Sequence, residues 1–448
     1  MNNYLFYFTV LTLVSFSFWI GKKTEKSQNT EEYFLGNRKI KFFQLTLTFL
    51  ATQLGGGVIM GTMEASYNHG AGALLYGFGL SSGLIVLSLG VGSAFRRLEV
   101  VTIPEIFEKV YQAPLLRRVS SVISIISLFL ILVAICLSTK KFLWSVGVKS
   151  ELLFVLFWFV TTYYTVMGGY KAVVRTDALQ VGFILVVLVL AVVYLLATSS
   201  ISISLMSQSF ETQDKNFPWF AWLISPMLFV IIGQDMGQRC FSGYSEKIVA
   251  KACFWSGFVL FLCTLLPCYM GLSLRQGELF WDGQGSLLLA ALKSLKNPYL
   301  MSLFCAALLM AILSTADSLL CAIASHLAED FPLASSGGEK KKLFFSRTVT
   351  FALGVLSLIF ASFATHIIEL MILAYKLCVS TLFVPIFFSI LFKGVSKKSA
   401  IASVAVGFFS LVFTETFLSF DGKELLSLGL SALAFVFFHK KGGCVVLG

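Results

Sequence analysis

Apolar residues fall along this chain in long blocks separated by short polar stretches. A helix needs about 20 apolar residues to cross a bilayer. On that criterion the pattern predicts thirteen spans, roughly 2–20, 42–67, 71–95, 119–138, 151–167, 177–198, 217–234, 252–274, 299–325, 345–365, 367–392, 399–417 and 424–439. The least distinct are 151–167, which is short, and the pair that meets around His366. The stretches between spans reach only about 20–25 residues, too short for a soluble domain. Leu274–Pro298, which contains Trp281, has room for a short interfacial helix, and the segment from Ser335 to Lys342 reads as a flexible linker.

Three segments break the apolar pattern in ways that carry chemistry. In the second span Gly55, Gly56 and Gly57 are adjacent. Each glycine costs a helix roughly 1 kcal/mol relative to alanine, so the run predicts an unwound link. Unwound backbone at membrane depth survives only when buried in protein or lining a cavity. Close packing of small residues is the plainer reading, but packing calls for glycines spaced by a turn. In the ninth span Ser314, Thr315, Asp317 and Ser318 sit mid-helix. Hydroxyls can bond one turn back, but an aspartate at the bilayer centre costs at least about 2.5 kcal/mol and marks a functional position. The third segment, Gly168 to Gln180, predicts a helix end at two glycines, a basic turn, and Asp177 opening the next helix as a cap. Further polar residues in apolar surroundings are Glu64, Asp235 with Gln238 and Arg239, and the pair Glu369 and Lys376, which share a helix face.

Composition agrees with the pattern: 57% of the 448 residues are hydrophobic and 13% charged, against about 25% charged in soluble domains. The net charge of +11 is explained by sidedness and requires no nucleic acid. Loops on one side of the thirteen-span arrangement hold 25 basic residues, those on the other side 8. By the positive-inside rule this places the N-terminus outside and the C-terminus in the cytoplasm. The first apolar run is followed, not preceded, by Lys22, Lys23 and Lys26, the order of a retained helix. Nine scattered cysteines contain no CxxC pair, so neither a disulfide framework nor a zinc site is expected. His69, His326, His366 and His439 stand alone, and no nucleophile–base motif occurs, so no enzyme is expected.

The segments EEYFLGNRKIKFFQLTLTFLATQLGGG (31–57), VTIPEIFEKVY (101–111), GGYKAVVRTDALQ (168–180), QDMGQRCFSG (234–243) and AILSTADSLL (311–320) occur in this order at suitable spacing. Together they resemble the sodium:solute symporter family, the group of proline, pantothenate and sodium/glucose carriers. The resemblance implies an all-α integral membrane fold of about 13 transmembrane helices, with a leucine-transporter-type core of two inverted five-helix repeats. The repeats would be 42–198 and 217–392, joined by an external loop, 199–216. An extra helix and cytoplasmic loop (1–41) would precede them, and two further helices (393–448) would follow. The first helix of each repeat should be broken, at Gly55–Gly57 and near Pro226 and Gly233.

Carried over by motif position, sodium would be held by carbonyls of Ala51, Leu54 and Ala311 and hydroxyls of Ser314 and Thr315. A second sodium site would use Asp177 and Ser318, with Asp317 beside them. Gln53, Gly56, Glu64 and Lys376 are the candidate substrate contacts, Lys376 if it faces the cavity. Gln53 stands where proline carriers have an aspartate, the 217–234 helix lacks the polar residues of the sugar carriers, and Lys376 departs from the family pattern. The implied activity is sodium-coupled import of a small polar solute, an amino acid or organic acid, across the plasma or bacterial inner membrane. The alternative is proton coupling through Asp177 and Asp317, since desolvated carboxylates titrate upward. The expected partners are the solute and the lipid bilayer; no protein partner is inferred.

Overall fold

The computed structural model describes residues 3–23, 30–198, 217–275, 287–292, 295–331, 338–392, 394–418 and 422–439. Helix lies at each of the thirteen apolar segments. In chain order the helices are α1 (Asn3–Lys23), α2 (Thr30–Leu35), α3 (Phe42–Gln53), α4 (Gly56–His69), α5 (Leu74–Val86), α6 (Gly92–Leu98), α7 (Glu105–Lys109), α8 (Pro114–Ser145), α9 (Glu151–Ala197) and α10 (Trp219–Ile232). They continue with α11 (Gln234–Ser242), α12 (Glu246–Arg275), α13 (Leu287–Leu292), α14 (Pro298–Glu329), α15 (Gly338–Ala361), α16 (Ile367–Cys378), α17 (Val384–Leu391), α18 (Lys397–Phe417) and α19 (Lys423–Phe438). Among the described residues, eight helical stretches are long and apolar enough to cross a membrane, and the pair α10–α11, bent by 42°, makes a ninth. Leu89, Phe363 and Phe437 on the outside are 80%, 81% and 82% exposed, as suits a surface that meets acyl chains rather than water.

Two continuous stretches are too long for one crossing. At about 1.5 Å per residue the 47 residues of α9 would reach about 70 Å, over twice the roughly 30 Å of hydrocarbon. The chain turns instead at Gly169, where φ is +70°, a conformation glycine adopts without penalty. The 43 residues from Gly56 to Leu98 turn likewise at Gly70, with φ +78°. The break in α9 is confined to Gly169. Tyr170 to Asp177 are helical, so Asp177 lies about two turns inside the helix and does not cap it. The linker expected from Ser335 to Lys342 is helical from Gly338 onward, and Lys342 pairs with Glu329 at 2.8 Å. A short helix, α13, does occur between Leu274 and Pro298. Trp281, the loop 199–216 and the tail 440–448 lie outside the described residues.

The most buried span is α14, which packs against α9, α8, α15, α3 and α4. Elsewhere small residues bring helices together. A Cβ at Gly79 or Gly83 of α5 would stand 2.5 or 2.6 Å from carbonyl oxygens of Leu223 or Met227 in α10. These two helices therefore touch backbone to backbone, the usual device where no hydrophobic effect drives helices together.

At the end of the bundle that carries the basic loops, the C-terminus of α14 is pinned to the loop before α7. Asp330 accepts from Thr102 Oγ1 (2.7 Å), Arg117 Nε (2.8 Å) and Ser121 Oγ (2.9 Å), and pairs with His326 Nδ1 (2.8 Å). Burial pushes the Asp330 carboxyl up, but the His326 hydrogen bond and charge, with Arg117, outweigh it and hold the group below the usual carboxylate range. Its contribution to stability is therefore present above the ordinary carboxylate pKa and is lost only as pH falls through the lowered one. Asp330→Ala removes the buried carboxylate shared by Arg117, His326, Thr102 and Ser121 and is expected to cost about 3–5 kcal/mol, read as a lowered melting temperature in detergent at neutral pH.

Candidate functional site

The chain unwinds between α3 and α4, with Leu54 at φ −80°, ψ 59° and Gly55 at φ −94°, ψ −178°. An interrupted helix leaves its last four carbonyls without amide partners. Two find partners locally: Leu54 N–H donates to Leu50 O at 2.8 Å and Gly55 N–H to Gln53 O at 2.9 Å. The other two are met from α14. Ser314 Oγ donates to Ala51 O (3.2 Å), and Thr315 Oγ1 lies 3.3 Å from both Ala51 O and Thr52 O. The same two hydroxyls reach Ala311 O at 3.0 and 3.2 Å. Residues 263 and 264 positions apart thus form one cluster of two hydroxyl and three carbonyl oxygens, with Leu54 next along the chain in the unwound link.

None of the three glycines at the break has positive φ, so space and not torsion demands them. A Cβ on Gly55 would strike Thr315, one on Gly56 would strike Ile312 and Ser138, and one on Gly57 would come 2.5 Å from Met371 Sδ. Close packing therefore explains the run after all: consecutive residues from the link into the first turn of α4 face different neighbours, so no helical spacing is needed.

Beside the break lies a small cavity, with about 330 Å³ of space around it when open solvent is included. Thr52, Gln53, Gly55 and Gly57 line it from the first broken helix, Phe229 and Asp235 from the second, and Thr315 from α14. Tyr76, Met371 and Tyr375 close it. The second break is at Gly233, where α10 gives way to α11. Both interruptions thus open on the same central space.

One turn from the oxygen cluster is a buried ionic group. Arg239, fully enclosed, donates from Nε to Thr48 O (3.0 Å) and from Nη2 to Ser318 Oγ (2.6 Å), and Nη2 stands 3.5 Å from Asp177 Oδ2. Thr48 Oγ1 donates to the same carboxylate at 2.5 Å. The second sodium site expected at Asp177, Asp317 and Ser318 meets this arrangement: a guanidinium already lies between Asp177 and Ser318, and Asp317 accepts from Thr165 Oγ1. Arg239 belongs to the buried interior, so the basic loops hold one charge fewer than the 25 read from the sequence.

The remaining candidates are dispersed. Gly56 is packed on α14 and does not line the cavity. Glu64 pairs with Lys141 at 2.9 Å and borders a separate cavity of about 280 Å³ with His69, Trp222 and His366. Lys376 does not reach the central space; it pairs with Glu424 and, at 3.3 Å, with Glu415, tying α16 to α18 and α19. Its share of a face with Glu369 is real, but its partners come from the C-terminal pair of helices.

The profile of the sodium:solute symporter family matches residues 33–407. The chain belongs to this family. A sodium/proline symporter of Staphylococcus saprophyticus is 26% identical over 75% of this chain and 69% of its own length. A sodium/pantothenate symporter of Haemophilus influenzae is 24% identical over 76% and 74%. The fold matches the substrate-bound, outward-open structure of a Na+-coupled sialic acid symporter with a TM-score of 0.75, over 97% of this chain and 95% of the other, at 16% identity. A closed nucleobase-cation-symport-1 family transporter holding bromovinylhydantoin matches at 0.57 over 92% and 94%. At such identities the structural likeness speaks for the fold alone. Family membership makes this an integral membrane symporter with sodium as the co-transported ion, and its curated relatives are transporters.

For this symporter, the sequence marks Ala51, Ala311, Ser314 and Thr315 of the cluster and Gln53 of the cavity, but gives no signal for Thr52, Tyr76, Phe229 and Tyr375. Aromatic residues are too common in the spans to stand out, whereas Asp235 and Arg239, charges in apolar surroundings, did carry a signal. The glycines supply a graded test. Thr315 is β-branched and stiff, while the Met371 side chain can swing away. Gly55→Ala is expected to cost about 1–3 kcal/mol and Gly57→Ala clearly less, compared as melting temperatures of the two purified variants.

Proposed function

We propose that this chain imports a small polar solute together with one sodium ion by alternating access. The observation that carries the reading is the convergence of the Ser314 and Thr315 hydroxyls on the carbonyls of Ala51 and Ala311 at the edge of the central cavity. Neutral hydroxyl and carbonyl oxygens suit a hard monovalent cation, and the C-terminal end of a half-helix favours positive charge. Ala51, Leu54, Ala311, Ser314 and Thr315 are the proposed sodium ligands. Paired interruptions at Gly55 and Gly233 support a core of two inverted repeats, 42–198 and 217–392, within about thirteen spans. They are the expected position of a midplane site. The excess of basic residues on one side supports an N-terminus outside the cell and a C-terminus in the cytoplasm of a plasma or bacterial inner membrane.

Sodium bound at this point would replace hydroxyl-to-carbonyl contacts with coordination from both α3 and α14, fixing the unwound link against the most buried helix. The same link lines the solute cavity through Thr52, Gln53 and Gly55. Ordering it for one ligand orders it for the other, and the two affinities then rise together. The membrane potential adds about 2.3 kcal/mol per charge per 100 mV to inward movement of the ion.

Sodium is expected to raise the melting temperature of the purified protein relative to potassium. The double variant Ser314→Ala, Thr315→Ala should lose this difference, with apparent sodium affinity lowered about tenfold or more. Sodium stabilisation that persists in the variant overturns the assignment. Arg239 acts in this reading as a resident cation at Asp177 and Ser318, so a second sodium there would face a guanidinium. Sodium titration of solute uptake should be hyperbolic, with a Hill coefficient of about 1; a sigmoidal titration excludes a single ion.

A further inference from the structure

We propose that the central cavity takes a solute bearing a positively charged nitrogen, with the Asp235 carboxylate as its counter-charge. The inference rests on the reading of the cavity as the transport site and narrows the solute to amines and ammonium compounds, including amino acids. Asp235 lines the cavity and is 3% exposed, and its Oδ1 has no hydrogen-bond partner. Burying a charged carboxylate oxygen without a partner is costly, and native structures keep such groups where they have work to do.

One cation of the protein lies near enough to ease the charge through space, but it gives the carboxylate no hydrogen bond. Arg239, one turn along α11, bonds the backbone carbonyl of Asp235 at 2.8 Å and spends its other nitrogens on Thr48, Ser318 and Asp177. No Lys, Arg or His lines the cavity among the described residues. The first turn of α11 favours a carboxylate through the helix dipole, which accounts for an acidic residue there but leaves Oδ1 unpartnered. Gly233 keeps the space for it: a Cβ at that position would stand 2.6 Å from Oδ1.

The rest of the lining suits the same group. The Phe229 and Tyr375 rings are stacked 4.5 Å apart, and Tyr76 lies parallel to Tyr375 with their hydroxyls 3.1 Å from each other. Aromatic faces attract alkylammonium groups. A solute whose only charge is a carboxylate would instead bring a second negative group next to Asp235. Gln53, on the facing broken helix, carries no charge to change this balance.

The test is a thermal-shift comparison in sodium and in potassium, with matched probes. L-proline is set against N-acetyl-L-proline, L-phenylalanine against phenylpropanoate, and choline against its uncharged carbon isostere, with pantothenate and sialic acid as anions lacking a charged amine. Every stabilising probe is expected to carry the cationic nitrogen. Asp235→Asn should weaken the best of them about tenfold or more, Asp235→Glu less, and sodium alone should stabilise Asp235→Asn as it does the wild type. Stabilisation by the anions or acetylated probes overturns the inference, as does an amine bound equally well by Asp235→Asn. Stabilisation by the amines that is equally strong in potassium would keep the role of Asp235 and overturn the sodium reading instead.

Discussion

Carbonyl groups left without amides at membrane depth are the constraint around which this structure is arranged. No water is available in the bilayer core to satisfy them, so the break in the second span stands only because α14 brings Ser314 and Thr315 to its edge. That approach demands glycine at 55 and 56, because any side chain there would meet Thr315 or Ile312. The same oxygens that make the break tolerable are a ready coordination sphere for a small cation. In the proposed reading, structural necessity and ion binding use one set of atoms, so an ion there would act on the backbone itself.

A second constraint is electrostatic. Arg239 is fully buried, and its guanidinium is shared among a carbonyl of α3, a hydroxyl of α14 and the Asp177 carboxylate of α9. A buried ion pair seldom adds net stability, since desolvation offsets the attraction, but removing one member exposes the other to a large penalty. Its effect here is positional. Arg239 belongs to α11, the second half of the second broken helix, so it ties that helix to the first broken helix and to α14 at a point one turn from the oxygen cluster. Asp235, four residues earlier on the same helix, lines the cavity. One short helix thus carries a charge paired within the protein and another at the cavity wall.

The segments that resemble the family meet one another in space. Gln238 of α11 bonds Phe34 O, Tyr170 bonds Ser242, and Ile40 pairs with Ser242 and Tyr244 through its backbone. Gln234 bonds the loop at Val101 and Ile103, and Thr102 bonds Asp330 at the end of α14. Four of the five segments therefore close one end of the bundle, and two of them, with AILSTADSLL, also reach the central site. Their joint appearance in sequence reflects joint contact in the fold.

From the chain alone, hydrophobic blocks gave the spans, the glycine run gave the break, and polar residues in the ninth span gave its partner. These are local signals: transfer free energy, helix propensity and the cost of burying polar groups act on each segment by itself. Tertiary structure decided what depends on direction and distance. Lys376 was placed by Glu415 and Glu424 on helices added after the core, Asp177 became a partner of Arg239 instead of a cap, and the aromatic wall of the cavity came from three helices with no shared sequence mark. A side chain's partner is set by which helix faces it, and pairwise charge and packing energies decide that only when the whole bundle is assembled.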